Sequence, residues 1–241
     1  MLELYHAGLT TCSKKSRLAL KEKGLPYQSH YMRLDKFEHH TPDYLKINPN
    51  GIVPTLVHDG SVVLESGVIN EYVDEVFPAV PLRPSDPLLR ARMRVLCKIA
   101  DEYALPATRV QTWTRTKAAQ LKAMDEAAFA RVVAETPLVD HRLKLQALKG
   151  DGFTKKEFEE AWGRMEYVYD RCEAALADGP YLVGKMYTLA DIALLPYVFA
   201  FTLTRPELMA SHPRTREWYE RVMARPAVRE TYEPSAEAPL H

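Results

Sequence analysis

Four prolines in ten residues, Pro78, Pro81, Pro84 and Pro87, divide this chain into two parts with different secondary-structure patterns. Proline lacks a backbone donor and fixes φ, so such a run suits neither a helix interior nor a central strand. Before it, short apolar runs alternate with turn signals. After it, no convincing strand is found and apolar residues recur at helical spacing. We therefore expect an α/β domain over residues 1–79, a linker over 80–87 and an all-α domain over 88–241.

Leu2 to Ala7 reads as a buried strand. Ser13 opens a helix running from Lys14 to Lys23, which Gly24 ends and Pro26 forbids from continuing. A second strand is expected over Gln28 to Leu34 and a helical turn over Pro42 to Ile47. Val53 to His58 and Val62 to Leu64 form a hairpin about Asp59-Gly60, a strong turn signal. Ser66 to Phe77 has helical spacing. The order βαβ, hairpin, helix implies a mixed sheet covered by helices. In the second half, Leu88 to about Leu105 is amphipathic and Pro106 kinks or stops it, with a further piece to Met124. Phe153 to Ala177 is a long helix capped by Thr154. Thr188-Leu-Ala-Asp191 starts another in the manner of a capping box, and Pro213 to Ala224 is the last. The residues from Pro234 onward are read as loose.

Lysine plus arginine equals aspartate plus glutamate at 32 each, so no basic field invites nucleic acid or anionic lipid. No apolar stretch approaches the ~18–20 residues of a membrane helix, and no basic leader precedes an apolar run. The three cysteines, Cys12, Cys97 and Cys172, have no paired or metal-like spacing. A reducing, cytoplasmic setting without metal is expected.

Four local signals stand in a telling order: Thr10-Thr11-Cys12-Ser13 at a helix start, Asn48-Pro49-Asn50-Gly51-Ile52-Val53-Pro54, Glu65-Ser66 opening a helix, and Thr188-Leu189-Ala190-Asp191. Together they resemble the cytosolic glutathione transferase family over essentially the whole chain. Lys36-Phe37-Glu38-His39, Lys46-Ile47-Asn48-Pro49 and Ala100-Asp101-Glu102-Tyr103 are most similar to its bacterial β-aryl etherases, which cleave lignin-derived ethers. The resemblance implies a thioredoxin-like N-terminal domain, glutathione as co-substrate, and a homodimer formed through the third and fourth helices, with Arg90 to Lys98 contributing.

It also implies a site. The Val53–Pro54 bond is expected to be cis, with Ile52, Val53 and Pro54 presenting backbone to the cysteinyl part of glutathione as an added strand would. Ser66 at a helix start takes the γ-glutamyl carboxylate, and Glu65 the ammonium. His40, with Lys36, reaches the glycine carboxylate. Glutathione's sulfur must be a thiolate to attack, yet an ordinary thiol has a pKa of ~8.5. A hydroxyl at a helix N-terminus stabilises the thiolate, and lowering its pKa by two units takes about 2.7 kcal/mol. Ser13 is the first choice for that hydroxyl and Thr11 the second. Tyr5 lies too early, inside the first strand.

Cys12 is the rival, as a nucleophile forming mixed disulfides. No cysteine stands three residues away, so a dithiol mechanism is excluded. Leu9, Tyr103, Arg109, Trp113, Tyr197 and Phe201 are expected to line a pocket for an apolar, aromatic electrophile, although aromatics at helical spacing are also ordinary core. Asp191 is expected to be structural. The main reading is a glutathione transferase acting on such an electrophile, with β-aryl ether cleavage as its sharper form. The alternatives are a zeta-like isomerase, a Cys12-based thiol transferase, and a non-catalytic glutathione-binding stress or interaction protein.

Overall fold

A computed structural model describes residues 1–8 and 10–233; Leu9 and the tail from Pro234 lie outside the described residues. Strands β1 (Leu2–His6), β2 (Gln28–Tyr31), β3 (Thr55–His58) and β4 (Ser61–Leu64) form one sheet in the order β2-β1-β3-β4. β1 pairs parallel to β2 and antiparallel to β3, and β3 pairs antiparallel to β4. The mixed sheet is the expected one. Helix α1 (Thr11–Glu22) makes the parallel crossover, α2 (Pro42–Ile47) follows β2, and α3 (Ser66–Val76) follows the hairpin. Leu2, Leu4, Leu20, Leu56, Ile69 and Val73 form the core of this half, drawn from strands and from the inward faces of α1 and α3.

The second strand ends at Tyr31, short of the expected Leu34. Arg33 to His40 instead makes two single 3-10 turns, Leu34–Lys36 and Glu38–His40, joined by Phe37 at φ 56°. The proline-rich segment is a linker by composition, yet it is tightly held. Asp74 is buried, pairs with Lys23 at 2.7 Å and Arg83 at 3.3 Å, and accepts the Leu82 N–H at 2.7 Å. Leu82 joins the core of the helical half, and its carbonyl accepts the Leu189 N–H at 2.8 Å.

The helical half runs through α4 (Pro87–Ile99), α5 (Leu105–Thr116), α6 (Ala118–Ala123), α7 (Glu126–Glu135), α8 (Val139–Lys149) and α9 (Lys155–Ala175). It continues with α10 (Leu189–Thr202), α11 (Glu207–Ser211), α12 (Pro213–Met223) and α13 (Pro226–Tyr232). Pro106 does not stop the chain. Ala100–Ala104 widens into a π turn in which the Leu105 N–H bonds Ala100, five residues back, so α4 and α5 continue through the residues just ahead of the proline. The further piece expected to Met124 divides into α5 and α6, and the residues between it and the long helix, which were given no element, form α7 and α8.

Helix α10 is the centre of the larger core, apolar on nearly every side and packed on α1 and α4. Its start is the expected capping box. Asp191 Oδ2 accepts the Thr188 N–H at 2.8 Å and hydroxyl at 3.1 Å, while Oδ1 accepts Leu182 N–H at 3.0 Å and Trp218 Nε1–H at 2.8 Å. No helix among the described residues is long and apolar enough to cross a membrane.

Candidate functional site

Register brings three predicted segments to one end of the sheet. Tyr5 in β1 pairs with Thr55 in β3, and Thr55 pairs with Leu64 in β4. The residues just beyond that row are therefore the β1–α1 turn, Val53-Pro54 ahead of β3, and Glu65-Ser66 after β4. The Val53–Pro54 bond is cis.

Around Val53 the backbone is divided in its use. Tyr44 Oη donates to the Ile52 carbonyl at 2.6 Å, and Asn48 Nδ2 donates to it at 2.8 Å. The carbonyl of Ile52 thus faces inward and anchors the loop, which corrects its expected part as open backbone. Neither the N–H nor the C=O of Val53 has a hydrogen-bond partner among the described residues, and the residue is half-buried. An unpaired donor and acceptor on one residue is the edge to which an extended peptide adds.

Glu65 is exposed and holds φ 65° and ψ 117°, a costly conformation for a non-glycine residue that a functional turn can retain. It precedes α3, whose first turn carries no side-chain cap and no acidic residue. The N–H groups of Ser66, Gly67 and Val68 are left pointing out of the helix, with the positive end of its dipole. Ser66 stands first in that turn, and its hydroxyl has no partner among the described residues. An uncapped helix start of this kind is a setting that favours an anion.

At α1 the structure revises the order of the hydroxyls. Thr10, not Ser13, is the cap: its Oγ1 accepts the Ser13 N–H at 3.2 Å. Ser13 is two residues inside the helix and 0% exposed, and its Oγ accepts the Ala7 N–H at 3.2 Å. That hydroxyl ties α1 to the end of β1 and is closed to a ligand. Thr11, the second choice, begins the helix, is partly exposed, and has no hydroxyl partner among the described residues. Cys12 is also partly exposed, with Sγ 3.8 Å from the Tyr197 hydroxyl. Beneath them Lys15 is buried, pairs with Asp101 at 2.7 Å, and places its ammonium 5.6 Å from the Tyr197 ring. A helix N-terminus above a buried cation is a setting that favours a thiolate.

The other predicted side chains disperse. His40 is only 6% exposed, its Nδ1 faces the Thr136 hydroxyl at 3.5 Å, and its ring lies against Gly51. The residues 118–152 that cover it are the reason it is not open to a carboxylate as expected; Lys36 is exposed. Phe201 is 1% exposed inside the core around α10, and the Tyr197 ring is buried with only its hydroxyl directed to Cys12. Tyr103 packs against Tyr167 of α9 with ring centroids 4.8 Å apart and tilted, and is 38% exposed, a surface pair rather than a pocket wall. Arg109 and Trp113 share one stripe of α5, with the guanidinium 5.5 Å from the indole centroid. Leu9 is outside the described residues.

Sequence reasoning singled out His40 but missed His39 and His141, which pack near it and near Trp113. Burial, then neighbouring His40, Lys117 and His141, pushes His39 down to about 2, while burial and Lys117 push His40 down to about 4. The signal was the His39-His40 pair beside Phe37, which reads as commonplace without the covering helices. The folded pKa of His39 lies below its unfolded value of ~6.5. The unfolded chain therefore binds more protons between the two, and stability falls as pH drops below ~6.5. We expect His39 to cost about 2 kcal/mol between pH 6.5 and 5. Denaturant midpoints of wild type and His39→Gln across that range check this: parallel curves would refute it, and a flatter curve for the variant is the expected result.

Residues 11–76 match the family model for the glutathione S-transferase N-terminal domain, and residues 93–226 match that for its C-terminal domain. Protein LigF of Sphingobium sp. strain SYK-6 is 36% identical over 97% of this chain and 94% of its own length. The crystal structure of that β-etherase superposes with a TM-score of 0.90 at 33% identity, covering 96% of this chain and 98% of the other. A probable maleylacetoacetate isomerase of Caenorhabditis elegans is 31% identical over 82% of this chain and 77% of its own. A Sulfitobacter glutathione transferase homologue, solved with bound glutathione, has a TM-score of 0.67 at 25% identity, covering 95% and 96% of the two chains. With both halves matched and a full-length relative above 30% identity, the chain belongs to the glutathione S-transferase family.

Proposed function

We propose that this enzyme holds glutathione along Val53 and Ser66, with its sulfur at Thr11, and directs the thiolate at an aryl ether. The observation that carries the reading is the row Tyr5–Thr55–Leu64, which sets the open backbone of Val53, the uncapped start of α3 and the Thr11 hydroxyl at one end of the sheet. The Val53 N–H and C=O pair with the cysteinyl residue of the peptide. Ser66 and the free N–H groups of α3 take the γ-glutamyl carboxylate, and exposed Glu65 takes the ammonium. Thr11 then donates a hydrogen bond to the sulfur, charge-assisted once the thiol has lost its proton.

The likeness to the LigF β-etherase supports an ether as acceptor. In that step the thiolate lone pair forms a C–S bond at the carbon bearing the aryloxy group. The C–O bond breaks, and its electrons leave with a phenolate whose charge the ring delocalises. Thr11 holds sulfur and transfers no proton.

Glutathione affinity by calorimetry, together with release of a fluorescent phenol from a β-aryl ether, tests the reading. Ser66→Ala is expected to weaken glutathione binding about tenfold, the loss of one hydrogen bond to a charged group. Unchanged affinity in that variant would remove Ser66 from the site. Maleylacetoacetate isomerisation without phenol release would favour the isomerase reading, which the Caenorhabditis elegans relative supports.

The homodimer belongs to this proposal as well. Val68 on α3 and Leu88 and Val95 on α4 are large exposed apolar side chains on neighbouring helices. Sedimentation equilibrium at micromolar concentration should give twice the 27.5 kDa chain mass, and a monomer would contradict it.

A further inference from the structure

Resting on that reading, the geometry points to an anion subsite at Lys117 and His141, backed by buried His39 and walled by Phe37 and Trp113, that selects acceptors carrying a carboxylate or phenolate on an aryl group. Lys117 closes α5, and its ammonium lies 5.7 Å from the Phe37 centroid and 5.3 Å from that of Trp113. His141 of α8 meets Trp113 edge-on at 5.1 Å, and His39 stacks on Phe37 at 6.0 Å. Two rings therefore flank a cation, the arrangement into which an aryl anion fits with its ring on the walls and its charge on the ammonium.

The group lacks a counter-ion. Among the described residues no carboxylate lies within 4 Å of the Lys117 ammonium, which also has no hydrogen-bond partner. The nearby acids are engaged elsewhere: Asp35 is held by Arg33 at 2.7 and 2.9 Å, and Asp140 by Arg109 and Lys144. His39, only 8% exposed, has a buried Nδ1 with no partner. Burial lowers Lys117 to about 8, and the charge of Asp35, itself held by Arg33, offsets only part of that shift. The group also borders the peptide edge, because Gly51, two residues before Val53, lies against the His39 carbonyl and the His40 ring.

Two conjugates separate the outcomes: S-benzylglutathione and S-(4-carboxybenzyl)glutathione, titrated by calorimetry into wild type, Lys117→Met and Lys117→Arg. Wild type is expected to prefer the carboxylated conjugate about tenfold, the gain of one charge-assisted contact. Lys117→Met should erase that preference while binding S-benzylglutathione as wild type does, and Lys117→Arg should keep part of it. Equal affinity for the two conjugates in wild type would overturn the inference. So would a Lys117→Met variant that binds both conjugates and glutathione itself more weakly by one common factor, because Lys117 would then serve glutathione's own carboxylate. If wild type binds neither conjugate, the glutathione site itself is wrong and the subsite falls with it.

Discussion

Asp191→Ala is expected to lower the unfolding free energy by about 3–5 kcal/mol, without touching the chemistry. The carboxylate is fully buried and accepts four donors: the Leu182 and Thr188 N–H groups, the Thr188 hydroxyl and the Trp218 indole. Truncation leaves those donors dry and unpaired. Each such group costs about 1–3 kcal/mol, and the sum is limited by relaxation around the cavity. Burial by itself raises the pKa of Asp191, and the four bonds pull against it. The loss is concentrated because this one side chain joins α10, α12 and the segment before α10. Asp191→Asn keeps one acceptor and sets an NH2 group against a donor, so it should recover only part of the stability. Denaturant midpoints that fall in the order wild type, Asn, Ala, with an unchanged m-value, would support this account. An alanine variant within 1 kcal/mol of wild type would refute it.

Thr11→Val is expected to cut kcat/KM about a hundredfold, equivalent to the ~2.7 kcal/mol that a two-unit shift of the bound thiol takes. Valine keeps the shape and removes the hydroxyl, so folding should change little, while glutathione affinity should match wild type only below about pH 6, where the bound thiol stays protonated, and fall roughly tenfold by about pH 7.5. Thr11→Ser should retain most activity. Ser13→Ala tests a different quantity: it removes the acceptor of the buried Ala7 N–H and should cost about 1–2 kcal/mol of stability while sparing the bound thiol. Cys12→Ala loses only a long contact to Tyr197 and is expected to remain active. Activity that survives Thr11→Val and disappears in Cys12→Ala would transfer the chemistry to the cysteine.

Much of the fold is legible in the sequence. The hairpin is announced by Asp59-Gly60, the change from mixed sheet to helices by the two different patterns of apolar spacing, and the α10 start by Thr188 and Asp191. The first and last rest on local backbone chemistry that only a few residue types provide. Ser13 shows where that kind of reading ends. Thr10, Thr11 and Ser13 within four residues give three possible caps, and the choice of Thr10 depends on how α1 docks against β1 through Ala7. His40 fails for a similar reason, since it is covered by helices far along the chain. Phe201 and Tyr103 are aromatics at the same helical spacing, yet one packs in the core and the other faces outward beside Tyr167. Periodicity places a residue on a face and leaves open what covers that face. The Arg33 to His40 turns were missed because a left-handed Phe37 is rare for that residue type.

The pKa of enzyme-bound glutathione, followed by thiolate absorbance across pH, addresses the central claim most directly. Wild type, Cys12→Ala and Ser13→Ala should all show a bound thiol about two units below the ~8.5 of an ordinary thiol, and Thr11→Val should return it to near that value. A bound thiol that titrates at the ordinary value in wild type, or one that is indifferent to Thr11→Val, would contradict the account.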